Sequence, residues 1–526
     1  MVRPENSHTV PVCCEIYITI YRIEKVTVKP QFETTQNNLR RKVLICAGRL
    51  DKMFVDMKDK VIVELSAVEH VCTTADIWSS NHKSFLGVTG HWIDPSSLER
   101  RSVALACDRM VGRHTYDAIA AKLSAVHSSY RIGRKVLMTI TDNGSNFVKA
   151  FNEYSCKLVD DDDDDDLSHE DVSNVLAAGE CDDGTEYVLP PHQRCASHTL
   201  NLVAVHDTEN ALNDAGYKRV CRGTMAKCSG LWNKASRSTQ CADVVSEKLH
   251  TSLVVPNDTR WNSHFRAMEK IKQILEKNPE DTVQEVFTAL EVPQLRENEV
   301  AFIKEYCSVM QPLAFALDML QAENKCYIGF LLPTITSLGA KLRALKPSVK
   351  LTGPLIDTIL AALETRFAGY SERSELIVAS VTLPQFRLRW LDDAKKDEAR
   401  SLLYQYATTM QQQTVHMAQD SDTVCDSASQ EDDFFCFDAQ PAASMDARTE
   451  VDMYLTDTSR DMQSLHRYPV IKKLFLQYNT ALPSSAPVER LFSLGGQILT
   501  PRRNRLTPRH FERQLLLRAN KWLIHK

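Results

Sequence analysis

The stretch Lys135-Val-Leu-Met-Thr-Ile-Thr-Asp142-Asn-Gly144 decides the fold, because it places a carboxylate where a buried strand stops. Residues 136–141 are apolar and β-branched, which predicts a strand, and Asp-Asn-Gly is a turn sequence. A second short apolar strand, Val71-Cys-Thr-Thr-Ala-Asp76, runs into an aspartate in the same way. Carboxylates in such places are suited to binding metal ions.

Periodic segments surround these two strands. Residues 84–93 alternate as a strand, residues 102–107 form a small apolar strand, and residues 114–126 carry apolar side chains at helical spacing. After an extended piece at 186–195, residues 195–205 are again helical. The order β-β-β-α-β-α-β-α predicts an α/β fold, in which a mixed sheet carries helices on both faces.

Composition limits the class of protein. The 526 residues, of which 43% are hydrophobic, predict two to four domains with a sizeable core. We find no run of about 18 apolar residues, which excludes a membrane span, and no signal-peptide order at the N-terminus. We therefore expect no membrane partner. The 15 scattered cysteines are typical of reduced thiols in an intracellular protein.

Charge is spread unevenly along the chain, although the net charge is only -5. The segment 155–190 contains the run Asp160 to Asp166 and a single base, which predicts a solvated acidic loop. The segment 411–447 is acidic and Ser-rich and is typical of a linker. The C-terminal segment is basic, with Arg502, Arg503 and Arg505 at its start, and would suit a nucleic-acid duplex or an acidic partner surface.

Six motifs occur in the order in which one family has them. They are Thr73-Thr-Ala-Asp76-Ile-Trp78, Gly112-Arg-His114, Thr141-Asp142-Asn-Gly-Ser-Asn146, Arg194-Cys195-Ala-Ser-His198, Thr259-Arg260-Trp261-Asn, and Ser485-Ala-Pro-Val-Glu489-Arg. In these motifs the chain resembles the hAT-superfamily transposases and the BED-finger proteins derived from them. The resemblance implies a ribonuclease H-like α/β core that is interrupted by a large all-α insertion.

The resemblance also implies a third acid. In the family a glutamate completes a DDE set, and the matching residues here are Asp76, Asp142 and Glu489 as catalytic and metal-binding acids. Two Mg²⁺ or Mn²⁺ ions held by such acids activate a water or a 3′-hydroxyl and stabilise the leaving oxygen of a phosphodiester. The alternative for either aspartate alone is that it merely caps a turn.

Other matching residues imply contacts with DNA. His198 corresponds to a residue beside the active site, and Arg260 and Trp261 to a pair in which the Trp stacks on an unstacked base and the Arg contacts phosphate. The alternative for Trp261 is a core aromatic, and for Cys195 plain packing. Zinc is not expected, since Cys195 and His198 have no obvious second ligand pair.

The resemblance implies four segments. Residues 1–64 are of uncertain structure, 65–265 hold the first part of the core, 266–480 the helical insertion, and 481–526 the last core helix and the hAT dimerisation region. In this last segment we expect apolar side chains to make either dimer contacts or intrachain packing: Phe511, Leu515, Leu516 and Trp522.

Three hypotheses about function stay open. The first is a transposase that cleaves and transfers DNA strands, and the second is a domesticated, nuclear, DNA-associated dimer without turnover. The third is a dimerisation partner with no DNA contact of its own. The paired Cys and His residues of a BED finger are not found in residues 1–64. The resemblance implies a nuclear protein. Its expected partners are DNA and a second copy of the chain or a related BED or hAT protein, and no small-molecule substrate is expected.

Overall fold

The computed structural model of the chain describes residues 33–80, 82–155, 187–256, 261–323, 325–419, 446–500 and 506–524. Within this part of the chain the sheet has five strands, in the spatial order β3-β2-β1-β4-β5. They are β1 (Val71–Ser80), β2 (Lys83–Ile93), β3 (Arg100–Met110), β4 (Val136–Thr141) and β5 (His192–Arg194).

The sheet is mixed. The first three strands form an antiparallel meander, and β4 and β5 add to the other side of β1 in parallel. A parallel connection needs a crossover, and the helices α2 (Tyr116–Ser129) and α3 (Ser145–Tyr154) supply it before and after β4. With α4 (Ala196–Val205) after β5, the element order is the one that the sequence predicts.

A helix at the start of the described chain was not expected. The sequence predicts no structure for residues 1–64, but α1 (Glu33–Ser66) is a helix of 34 residues. Its second half has buried apolar positions at helical spacing, including Met57, Val61 and Leu65, which pack with the core around β1 to β3. The residues of this segment that could bind a metal ion, His8, Cys13 and Cys14, have no second ligand pair in the sequence and lie outside the described residues.

Helices follow the sheet along the rest of the described chain. The first group comprises α5 (Ala215–Arg237), α6 (Thr239–Leu249), α7 (Trp261–Lys277), α8 (Glu280–Ala289), α9 (Glu297–Leu320), α10 (Leu331–Leu345), α11 (Gly353–Arg366), α12 (Ser374–Val381) and α13 (Asp393–Gln419). The second comprises α14 (Ala447–Thr456), α15 (Pro469–Asn479), α16 (Ala486–Ile498), α17 (Pro508–Ala519) and α18 (Lys521–Ile524). Short 3-10 turns connect several of them.

Two expected boundaries differ from the structure. α13 continues to Gln419, so residues 411–419 of the expected linker are helical, and residues 420–445 lie outside the described residues. α7 runs through the expected boundary at 265/266, which therefore falls inside a helix. Most of the expected acidic loop, 156–186, is likewise outside the described residues, and Ser155 and Leu189 on its two sides form a parallel bridge.

Two hydrophobic cores meet at the sheet. One includes α1, the face of the sheet covered by α2 and α3, and the side chains of α16 and α17. The other joins α4 and the helices from α5 to α15 and reaches the opposite face at Cys72 and Ile140. No helix among the residues that the structure describes is long and apolar enough to span a membrane.

Candidate active site

The strand register places Asp76 and Asp142 side by side. β1 and β4 are parallel, and Thr74 pairs with Ile140. Two residues further on, the same register aligns Asp76 with Asp142, which directly follows the end of β4. Residues at the same register position on adjacent strands point to the same face and lie about 5 Å apart at the backbone.

Local hydrogen bonds orient both carboxylates. Asp142 Oδ1 accepts a hydrogen bond from the backbone N–H of Gly144 at 3.1 Å, the turn that leads into α3. Asp76 Oδ1 accepts one from the backbone N–H of Ile77 at 2.7 Å. Each bond uses part of one carboxylate, so the remaining oxygen atoms stay available as acceptors or ligands.

Glu489 approaches the same face on α16, which packs across β1 and β2. The residue paired with Asp76 on β2 is Gly87. A Cβ atom at Gly87 would lie 2.7 Å from Val488 Cγ2 and closer still to the ring of Phe492. The missing side chain therefore lets α16 lie directly on the sheet beside Asp76, with Glu489 half-buried at this contact.

The charges of Asp142 and Glu489 both act on the carboxyl group of Asp76. The pKa of Asp76 is raised from 3.8 to about 7, first by burial, then by the charge of Asp142, and to a smaller extent by that of Glu489. The hydrogen bond from Ile77 opposes this shift. Like charges disfavour ionisation when they are near, so β1, β4 and α16 bring their acids into the same neighbourhood of the sheet.

The arrangement is not a closed ligand cage. Among the described residues, no three His, Cys, Asp or Glu side chains are grouped closely enough to hold a metal ion as placed. The chemistry of the donors nevertheless fits Mg²⁺ or Mn²⁺, because all three are carboxylates and their repulsion is what a hard cation would relieve.

Cys195 has a capping and packing role. Its thiol is the N-cap of α4 and accepts a hydrogen bond from His198 N at 3.4 Å. The side chain is 1% exposed. His198 is half-buried in the first turn of α4, which follows the β5 edge of the sheet. Contact of His198 with DNA stays a prediction.

Trp261 lies in the helical core. It is 8% exposed, begins α7 and stacks on Phe265 with a centroid distance of 5.5 Å. A base could therefore stack on it only after the indole is exposed. Four other residues expected to bind DNA lie outside the described residues: Arg260, Arg502, Arg503 and Arg505.

The expected dimer contacts are mostly internal. Phe511, Leu515 and Leu516 are at most 1% exposed and belong to the core with β1 to β3 and α1. The intrachain alternative therefore describes these three residues, whereas Trp522 is only partly buried. As folded, the first three cannot meet a second chain without unfolding the region.

Two residues that shape the site are not evident from the sequence. Gly87 lets α16 pack closely on the sheet, and a glycine inside a strand is a known sign of a close backbone approach. Arg100, at the start of β3, is 7% exposed and bonds the segment before α16. Nothing in its local sequence distinguishes it from a surface arginine, since its acceptors come from residues more than 200 positions away.

Comparison with known proteins gives matches at both acid-bearing regions. Residues 74–165, which contain Asp76 and Asp142, match the ZBED1 RNase-like domain. Residues 460–523, which contain Glu489, match the hAT family C-terminal dimerisation region. Two Zea mays proteins, named as AC and AC9 transposases, are each 29% identical to the chain over 259 residues, or 47% of it. The match spans 27% and 26% of these relatives, about a quarter of their length.

Proposed function

Because the chain is an hAT-family transposase-derived protein, we propose that Asp76, Asp142 and Glu489 form a site for Mg²⁺-dependent cleavage and transfer of DNA strands. We also propose that the sheet is a ribonuclease H-like core, which the helices between β5 and α16 interrupt as an insertion. The observation that carries the proposal is the alignment of Asp76 with Asp142 on adjacent parallel strands, across which the helix that bears Glu489 packs.

The chemistry assigned to the acids is that of ligands. Bound divalent ions would lower the barrier for attack of water or a hydroxyl on a phosphodiester and stabilise the leaving oxygen. In the chain itself, Asp76 and Asp142 would hold their carboxylates at a fixed spacing given by two hydrogen-bonded strands. Glu489 would add a third carboxylate from α16, which can pack on the sheet because residue 87 is a glycine. In this proposal the protein acts in the nucleus, with DNA and a second copy of the chain as partners.

The second candidate function is a DNA-associated or dimerising protein without turnover. Two observations favour it: the acids do not form a closed metal-binding group in the described residues, and Trp261 is buried. Such a protein would keep the fold and the self-association that the hAT dimerisation region implies, and it would act through partners.

One experiment separates the two functions. The purified full chain and its Asp142→Asn variant are each incubated with labelled duplex DNA, with and without Mg²⁺. The DNA carries the ends of a transposon of the hAT family. The first function predicts nicks that need Mg²⁺ and are absent from the variant, which should keep its fold because the substitution is nearly isosteric. If the wild-type chain and Asp142→Asn give the same DNA products, the second function replaces the first.

A further inference from the structure

The position of Glu489 poses a problem of chain connectivity. Glu489 follows Asp142 by 347 residues. The chain between them passes through β5 and most of the described helices before it returns to the sheet. A small shift in that path would move Glu489, unless both α16 and the segment just before it are fixed to the sheet directly. That segment is 479–485, between the end of α15 and the start of α16.

Arg100 binds the first half of this segment. Its guanidinium donates hydrogen bonds to the carbonyl oxygens of Asn479 at 2.6 Å, Thr480 at 2.7 Å and Ala481 at 3.3 Å. A further bond reaches Cys326 O at 3.1 Å. The group also lies over the ring of Tyr327, with a distance of 5.0 Å to the centroid. One residue of β3 therefore binds three consecutive carbonyls at the end of α15.

The end of α15 is a favourable place for the cation of Arg100. The last carbonyls of a helix lack intrahelical partners and carry partial negative charge, so a cation there is doubly favourable. Burial lowers the pKa of Arg100 from its usual value, and a buried cation is costly unless its donors are satisfied. The planar fork of a guanidinium also fixes the direction of each bond. The bonds therefore hold the segment in one place.

Cys195 binds the second half. Its thiol accepts a hydrogen bond from Ser485 N at 3.3 Å and lies 3.6 Å from Ser484 Oγ. The next backbone N–H, that of Ala196, donates to Pro483 O at 2.8 Å. The backbone N–H of Cys195 itself donates to Thr141 O at 2.8 Å, next to Asp142. Cys195 thus connects the end of β4, which carries one acid, with the start of α16, which carries another.

We propose that Arg100 and Cys195 are positioning residues, which clamp segment 479–485 between β3 and α4 and thereby fix Glu489 relative to Asp76 and Asp142. The clamp acts through backbone contacts, so neither side chain needs to touch DNA or a metal ion. Its meaning for catalysis rests on the proposed function, whereas its effect on the position of α16 does not.

The test compares Arg100→Lys with Arg387→Lys by hydrogen–deuterium exchange of the full chain. Arg387 is a matched control, because it is 3% exposed, donates to the carbonyls of Pro384 and Ser459, and lies 4.7 Å from the centroid of Tyr454. We expect Arg100→Lys to speed exchange of the amides of residues 484–492 at least about tenfold, and to leave α9 unchanged. Arg387→Lys should spare residues 484–492.

Two results would overturn the clamp. One is unchanged exchange at residues 484–492 in a folded Arg100→Lys protein. The other is faster exchange by the same factor throughout the chain, or in both variants alike, which is what a general loss of stability would give.

A second pair of variants tests Cys195 by conservative rescue. Cys195→Ala removes the acceptor for Ser485 N, whereas Cys195→Ser keeps a hydroxyl at the same place. We expect faster exchange at residues 484–492 in the first and values near wild type in the second. Equal exchange in the two variants would remove Cys195 from the clamp.

Mn²⁺ binding, measured by electron paramagnetic resonance on the same proteins, connects the clamp with the acids. We expect Arg100→Lys to weaken binding about tenfold or more, and Arg387→Lys to leave it unchanged. Absence of Mn²⁺ binding in the wild-type chain would contradict the proposed function alone, because the exchange data still decide the clamp. Equal Mn²⁺ affinity in wild type and Arg100→Lys would contradict a role of the clamp in positioning Glu489.

Discussion

Asp76 has a carboxyl group whose pKa is raised from 3.8 to about 7, chiefly by burial and then by Asp142. Because the folded state holds this proton more tightly than the unfolded state, the stabilisation is fully present below about pH 4. It is lost as the pH rises through about 7, where Asp76 ionises beside two other acids. Asp76 therefore makes the metal-free protein less stable in mildly alkaline solution.

Asp76→Asn should remove this loss. At pH 8 we expect the free energy of unfolding of the variant to exceed that of wild type by about 2 kcal/mol. This is roughly half of the free energy that corresponds to the whole pKa shift, because the side chain is partly exposed to solvent. At pH 4 to 5, where Asp76 is protonated, the difference should shrink towards zero. Urea denaturation at the two pH values measures it. A difference that is the same at both would show that the carboxyl does not titrate as described.

A second prediction for a single residue concerns the stability of a variant at Gly87. Gly87→Ala places a methyl group where Val488 and Phe492 lie, so it should cost about 1–3 kcal/mol of stability through overpacking. Gly48→Ala is the control, since nothing lies within 4 Å of that position in α1, and it should gain up to ~1 kcal/mol. Thermal unfolding of both variants gives the comparison. If Gly87→Ala were as stable as Gly48→Ala, α16 would not lie on the sheet as closely as described.

The site could be predicted from the sequence only in part. Asp76 and Asp142 follow from local pattern, because each ends a short apolar strand and strand ends are readable from a single stretch. Glu489 follows only from the resemblance, since no local rule connects residues that lie 347 positions apart. Gly87 and Arg100 were missed because their roles depend on a helix and a helix end that come from remote sequence.

At the scale of elements, α17 covers the edge of the sheet. β3 is an edge strand, whose outward backbone groups would otherwise be unpaired. Asn520, at the end of α17, accepts a hydrogen bond from Ala104 N at 2.8 Å and donates one to Ala104 O at 2.9 Å. Glu512 accepts one from Cys107 N at 3.1 Å. Side chains of the C-terminal region thus take the place of a sixth strand.

Loss of this edge cover should be costly. Asn520 is 1% exposed, and Asn520→Ala leaves two backbone groups of Ala104 buried without partners, so we expect a loss of about 2–4 kcal/mol. Asn233→Ala, at an exposed position of α5, should change stability by less than about 0.5 kcal/mol. Urea denaturation of both proteins measures the contrast. Similar losses in the two would mean that Ala104 finds other partners, such as water.

The elements themselves were predicted well where the period was clear. The strand at 136–141 coincides with β4, and the helix at 195–205 with α4 to within one residue. The prediction 102–107 is shorter than β3 because the strand has charged residues at both ends, which periodicity alone does not assign to a strand. Pairing order between strands had to come from the structure, since periodicity does not specify neighbours.

At the scale of the whole molecule, the C-terminal region serves the fold of one chain and matches a dimerisation region. Leu515 is fully buried, so Leu515→Ala should lower the free energy of unfolding by about 2–5 kcal/mol through the cavity it leaves. Because the contact is intrachain, the loss should be the same at all protein concentrations. Denaturation over a 100-fold range of concentration tests this. A loss that grows with concentration would instead place Leu515 in a dimer interface.

We propose above all that acids from β1, β4 and α16 form one site for divalent ions. The most direct measurement is a titration of the full chain with Mn²⁺ by electron paramagnetic resonance, repeated with Asp76→Asn, Asp142→Asn and Glu489→Gln. We predict saturable binding in wild type that each single substitution weakens strongly. Binding that is absent from wild type, or that stays unchanged in any one of the three variants, would contradict the claim.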